Sequence, residues 1–212
     1  MPGASFFRKL GLYVAEDFLD PSQCARLCQE LMTTQSAAAT ILGDGTKPVV
    51  DEGVRKVARA GLTGPPEEEL RKRLLDLMPA LGAQFQEALT GCQGPEFLRY
   101  RVGSFYKVHH DGGPAHSVAA GRRVSVIIFL NHQSKELAEG AYGGGSLVFY
   151  GLLRGEEWQN VGLPLDARQG MLVAFRSGIL HEVQPVTHGE RLTVVSWFTS
   201  NEQIGGDETV RG

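Results

Sequence analysis

The spacing of apolar positions along the chain changes character near residue 96. Before it, Leu70, Leu74, Leu77, Leu81, Phe85 and Leu89 recur at three- and four-residue steps, which stack side chains on one face of an α-helix. Pro65 and Pro66 suit the first turn of that helix, and Glu67, Glu68 and Glu69 place negative charge where its dipole is positive. Pro79 has no amide hydrogen for the helical ladder and is expected to kink the helix or divide it in two. A shorter helix is expected from Asp20 to about Met32, with Asp20 as cap, Pro21 in the first position and Gln23 reaching back. Residues 12–19 before it read as a short strand and turn. From Thr33 to Thr63 the pattern dissolves into Ala, Gly and Thr, with an apolar run at Pro48 to Val50 and basic Arg55, Lys56 and Arg59; short strands and a mobile flap are expected.

Beyond residue 96 the period becomes that of strands. Runs rich in Val, Ile, Phe, Leu and Thr lie at 97–102, 105–109, 123–130, 146–150, 171–175, 180–186 and 191–199, separated by glycine-containing turns. Many short strands after a helical stretch predict an α+β, mainly β, chain: a barrel or double-sheet jelly roll braced by helices on one face. The 212 residues suit a single domain, 1–212, with helical support and flap over 1–95 and the strand-rich core over 96–200.

Composition narrows the function classes. A net charge of -3 offers no general attraction for nucleic acid or anionic lipid. No stretch approaches the roughly 18 uninterrupted apolar residues of a bilayer span, and the start, MPGASFFRKLGLYVAEDF, lacks the apolar centre of a secretion signal. A cytoplasmic protein with no membrane and no nucleic-acid partner is expected. Cys24 and Cys28 share a helix face and Cys92 stands apart, so the cysteines read as small buried hydrophobes.

The chemistry-bearing spacing begins at His109-His110-Asp111. On a strand alternate side chains share a face, so His109 and Asp111 point the same way and can ligate one ion, while His110 faces away. His181, on a later strand, can complete a set of two imidazoles and one carboxylate, the facial arrangement suited to non-haem Fe(II). Arg191, ten residues further and past a turn at Gly189, can return on a neighbouring strand. Its planar guanidinium fits a buried carboxylate, and Tyr100 supplies a neutral hydroxyl donor.

Tyr100, Gly103, Tyr106, His109-His110-Asp111, Gly143-Gly144-Gly145-Ser146-Leu147, His181-Glu182-Val183-Gln184-Pro185, Arg191 and Trp197 occur in the order seen in the prolyl 4-hydroxylase-like branch of the Fe(II)- and 2-oxoglutarate-dependent dioxygenases. The chain resembles that family over roughly 96–200, with Phe129-Leu130-Asn131 and Phe175 also fitting. The resemblance implies a double-stranded β-helix, cupin-like, with N-terminal supporting helices. It implies Fe(II) on His109, Asp111 and His181, and 2-oxoglutarate with its distal carboxylate on Arg191, helped by Tyr100 and Thr193. Ile127, Leu147, Val183 and Trp197 would line the cosubstrate pocket, and Tyr106 would look toward substrate. Phe129 stands where some relatives carry a second tyrosine near that carboxylate.

The activity implied is hydroxylation of an aliphatic C–H with dioxygen, releasing succinate and carbon dioxide, with ascorbate as a support. Retention of Asp111 favours hydroxylation over halogenation, and Trp197, six residues after Arg191, replaces a second arginine usual in nucleic-acid demethylases. A peptidyl or protein proline is the favoured substrate; a free amino acid or natural product is the alternative, and a non-catalytic jelly-roll metal-binding module is the rival of another class. His116, His132 and His188 read as surface residues, and Gly143 to Gly145 as a close-approaching hairpin. Trp197 also suits plain core. Arg55 and Arg59 read as solvated charges or, if the flap meets the substrate, as substrate contacts.

Overall fold

The computed structural model describes residues 4–42, 48–114, 117 and 119–200. The chain runs through α1 (Ala4–Lys9), β1 (Leu12–Ala15), α2 (Pro21–Thr33), β2 (Ser36–Ala38), β3 (Ile41–Leu42), β4 (Pro48–Val49), β5 (Arg55–Lys56), β6 (Ala58–Ala60) and α3 (Pro65–Phe85). The strand-rich part follows as β7 (Gly91–Cys92), β8 (Glu96–Tyr100), β9 (Phe105–His109), β10 (Arg122–Phe129), β11 (Gly143–Gly144), β12 (Leu147–Phe149), β13 (Leu163–Leu165), β14 (Leu172–Arg176), β15 (His181–Val183), β16 (Val186–His188) and β17 (Arg191–Thr199).

These strands form a large antiparallel sheet, ordered β1-β14-β10-β17-β8-β6-β2 with β7 beside β17, and a smaller one, β13-β12-β15-β9-β5. Alternation in the long strands β10 and β17 divides the core between the two faces of the large sheet. Val124, Val126, Ile128, Val194 and Phe198 turn to one side and bury against Cys24, Leu27 and Leu31 of α2 and Leu70, Leu74, Leu81 and Phe85 of α3. Ile127, Phe129, Leu98 and Phe175 turn to the other and meet Leu147, Phe149 and Val183 of the small sheet. This pair of facing sheets with helices on one outer side is the jelly-roll arrangement expected from the strand runs.

Local chemistry explains the helices. The amide of Gln23 donates to the Asp20 carboxylate at 2.8 Å and the Asp20 amide to the Gln23 side chain at 3.0 Å, closing the capping box at the start of α2. Pro79 does not divide α3: it lies on the exposed side, where a carbonyl freed by the missing amide can be hydrated. The helix stops at Phe85 because Gln86 adopts a left-handed conformation, φ 54°, and its amide bonds the Gly82 carbonyl, leaving Leu89 outside the helix. The cysteines are free thiols, and burial pushes Cys24 up to about 11 and Cys28 up to about 12. They pack as hydrophobes.

The segment from Thr33 to Thr63 is more regular than expected. Strands β2 and β6 extend the large sheet beyond β8, while β5 pairs with β9 in the small one. Residues 43–47, at the centre of the expected flap, lie outside the described residues. The expected strand 180–186 is two strands split at Gln184-Pro185, since proline cannot donate to the ladder; β15 pairs with β9 and β12, and β16 with β11. No helix among the described residues is long and apolar enough to cross a membrane.

Candidate metal centre and cosubstrate pocket

His109 closes β9, Asp111 follows two residues later, and His181 opens β15. The register pairs His181 with His109 across the small sheet, so antiparallel pairing alone brings the imidazoles together. One ligand atom from each of the three residues lies within 4.8 Å of the others. Asp111 sits between the rings, Oδ1 3.6 Å from His109 Nε2 and Oδ2 3.7 Å from His181 Nε2.

Hydrogen bonds fix the ring tautomers. His109 Nδ1 lies 2.7 Å from the Lys107 carbonyl and His181 Nδ1 2.9 Å from that of Ile179; a carbonyl only accepts, so each Nδ1 carries the proton. In the neutral rings both Nε2 lone pairs then face a carboxylate that is itself only an acceptor. Burial is the main reason the His181 ring is pushed down to about 4, so it is neutral at physiological pH. For Asp111 burial works toward a higher value, but the neighbouring imidazoles, His181 first, outweigh it and hold the carboxyl well below its usual range. Three converging acceptors without a hydrogen between them repel one another unless a cation joins them, which is the donor chemistry of a facial-triad metal site. Tyr106 stacks on His109, with ring centroids 3.4 Å apart, and Phe175 meets His181 edge-on at 4.7 Å, which holds both rings in place.

A cavity of about 370 Å³ opens between the sheets at this cluster. Of the residues expected around the pocket, Tyr100, Ile127, Val183, Trp197, Tyr106 and Arg55 line it. Leu147, expected on its wall, is instead fully buried in the core, paired with Val183 across the ladder. Thr193 and Arg191 also lie behind the wall, and the Arg191 guanidinium sits 4.8 Å over the ring of cavity-lining Tyr100 and 5.3 Å from that of Phe129.

Arg191 is 1% exposed. Its NH1 donates to Thr193 Oγ1 at 3.3 Å, whereas Nε and NH2 have no hydrogen-bond partner among the described residues. The chain on both sides of it is clamped: Asn131 donates to the Glu190 carbonyl at 2.8 Å and accepts from the Leu192 amide at 3.0 Å, and the Glu190 carboxylate pairs with Arg99 at 3.0 Å. A guanidinium buried with idle donors is costly unless an anion completes it, and a carboxylate matches its fork. The triad and this anchor therefore fit Fe(II) and 2-oxoglutarate.

Two residues beside the pocket were not legible in advance. Arg122 lies over Trp197, its guanidinium carbon 3.6 Å from the ring centroid, and donates from Nε to Gln93 at 2.9 Å. Tyr142 is fully buried, and its hydroxyl has no hydrogen-bond partner among the described residues. The only signal for Tyr142 was its place just before the Gly143-Gly144-Gly145 stretch, which forms the expected hairpin contact: β11 pairs with β16. Arg55 is not a solvated charge. It is 9% exposed, donates to the Thr40 carbonyl at 2.7 Å, lies over Tyr106 and leaves Nε unpartnered. Arg59 is exposed and pairs with Glu96 at 3.3 Å. His110 and His132 are exposed as expected, His188 is half-buried with its ring against Gly143, and His116 lies outside the described residues.

Residues 95–199 match the sequence profile of the 2OG-Fe(II) oxygenase superfamily. The chain is 30% identical over 174 residues to a PKHD-type hydroxylase of Xylella fastidiosa, covering 77% of this chain and 70% of that protein. A PKHD-type hydroxylase of Klebsiella pneumoniae is 29% identical over 198 residues, covering 89% and 78%. Among solved structures, a Pseudomonas putida prolyl-4-hydroxylase superposes with a TM-score of 0.66 at 21% identity, over 89% of this chain and 92% of that one. A Trichoplax adhaerens prolyl hydroxylase, in complex with a hypoxia inducible factor oxygen degradation domain peptide fragment, gives 0.71 at 20%, over 92% and 86%. These structural likenesses share the double-stranded β-helix fold.

Proposed function

Because the chain belongs to the 2OG-Fe(II) oxygenase superfamily, we propose that it hydroxylates an aliphatic C–H bond of a prolyl residue in a peptide or protein, releasing succinate and carbon dioxide. The observation that carries this reading is one cavity with three convergent acceptors on its wall and the idle donors of Arg191 behind Tyr100. Bound iron and 2-oxoglutarate would supply the oxidising chemistry, with dioxygen as oxidant and ascorbate sustaining turnover. His109, Asp111 and His181 would hold the iron.

The chain's own groups do the positioning. Arg191 binds the distal carboxylate with Tyr100 as a neutral donor, and Thr193 orients the guanidinium. Ile127, Val183 and Trp197 give the pocket apolar walls that exclude water, with Leu147 packed behind Val183. Burial pushes the Tyr106 phenol up to about 12, so it faces substrate as an uncharged hydroxyl. Arg55, with Nε free, offers a donor to a substrate carbonyl or carboxylate beside it. A peptide substrate is supported by the peptide held in the Trichoplax structure.

Incubation with cell extract, Fe(II), ascorbate and 2-oxoglutarate, followed by mass spectrometry, tests this. Proline-containing peptides that gain one oxygen only when 2-oxoglutarate is present are expected. Oxygen gained solely by free amino acids or other small molecules would shift the reading to the alternative substrate class. Absence of both oxygen transfer and succinate release would favour the non-catalytic module.

A further inference from the structure

We propose that Tyr142 is a cosubstrate-binding residue: its buried hydroxyl donates to the same distal carboxylate that Arg191 holds. This rests on the reading of the pocket given above and deepens it. Arg191 presents two idle nitrogens, Nε and NH2, and among the described residues the phenol oxygen that is itself fully buried without a hydrogen-bond partner belongs to Tyr142. Both side chains are fully buried. A guanidinium can only donate, so whatever passes between the two side chains leaves the Tyr142 hydroxyl proton without an acceptor and Arg191 without a counter-charge among the described residues, and a single carboxylate, with about four lone-pair sites, satisfies both.

Their closeness is built into the hairpin. Gly145 lies against both: a Cβ there would come within 3.0 Å of Arg191 Cδ and 3.3 Å of the Tyr142 ring. Its φ of +59° further suits a residue without a Cβ. The backbone of Tyr142 is fixed at both polar atoms, its amide donating to the His132 carbonyl at 3.0 Å and its carbonyl accepting from Ser134 at 2.8 Å. The ring is therefore set before any ligand arrives. Burial raises the phenol above its ordinary range, with Arg191 pulling the other way, so the hydroxyl stays protonated and donates to an anion. Phe129, whose ring centroid lies 5.3 Å from the guanidinium, has no hydrogen bond to give. If Tyr142 served packing alone, its ring would suffice and the hydroxyl would be a buried cost.

Tyr142→Phe keeps the ring and removes the oxygen. Fe(II)-loaded wild type and variant are titrated without oxygen with 2-oxoglutarate and, separately, with 2-oxopentanoate, which carries the same 2-oxo acid end and a methyl group in place of the distal carboxylate. The metal-to-ligand charge-transfer band reports binding. Tyr142→Phe should raise the Kd for 2-oxoglutarate about tenfold or more, the size expected for a hydrogen bond to a charged group, and leave that for 2-oxopentanoate unchanged. Phe129→Tyr added to the variant should recover part of the loss. Equal Kd values for 2-oxoglutarate in wild type and variant, or equal weakening toward both acids, would overturn the assignment while leaving the oxygenase reading intact. No band in the wild type with either acid would overturn both.

Discussion

The two faces of the large sheet are built by the same strands and have opposite characters. In β17, Val194 and Phe198 point to the helices and pack in the apolar cluster there, whereas Arg191, Thr193 and Trp197 point to the small sheet. The helix-backed face has no unpaired polar side chain among its buried members, while Arg191 and Trp197 on the other keep buried nitrogens without partners. One face is thus apolar burial backed by helices, while the other adds to its own apolar core the groups whose polar atoms have no partner among the described residues. Stability and function are divided by the two-residue period of a strand.

That division can be broken at four points. His181→Ala should lower turnover by orders of magnitude, read as succinate release, because a triad short of one ligand loses its geometry; full activity would remove the metal assignment. Leu74→Ala, on the helix-backed side, should cost about 2 to 5 kcal/mol in denaturant unfolding while leaving the Kd for 2-oxoglutarate unaltered. A change in that Kd would mean that the faces are coupled. Arg191→Met should weaken 2-oxoglutarate roughly a hundredfold, spare iron binding, and leave the ligand-free protein as stable or more so, since it removes an uncompensated buried charge. Thermal unfolding of the apo variant below wild type would contradict this. Gly145→Ala, which presses a methyl group on Arg191, should weaken 2-oxoglutarate several-fold and leave the affinity for iron alone; an unchanged Kd would show that the hairpin has slack.

What the sequence disclosed follows the same line. Residues whose chemistry needs a set type at a set spacing were legible: His109 and Asp111 two apart, His181 on a later strand, Arg191 past Gly189. The period-two strands were legible for the same reason. Tyr142 and Arg122 were not, because each acquires its place through contacts across the fold, Tyr142 against Arg191 and Arg122 over Trp197. The end of α3 was hidden because Gln86, not glycine, takes the left-handed turn. Strands as short as Ser36–Ala38 carry no side-chain period to read, so the stretch from Thr33 to Thr63 gave short strands and a flap with no pairing or bounds.

Asn131 and Glu190 lend the pocket a last property. The peptide groups on both sides of Arg191 are tied down, the Glu190 carboxylate is claimed by Arg99, and the buried guanidinium rests on Thr193 Oγ1 between the neighbouring rings of Tyr100 and Phe129. Under the proposed binding mode, an arriving dicarboxylic acid would not have to freeze a wandering arginine, which elsewhere costs about 0.5 to 1.5 kcal/mol for each long side chain immobilised. The anchor behaves as a socket cast in advance, and its tightness depends on a scaffold that the acid never touches.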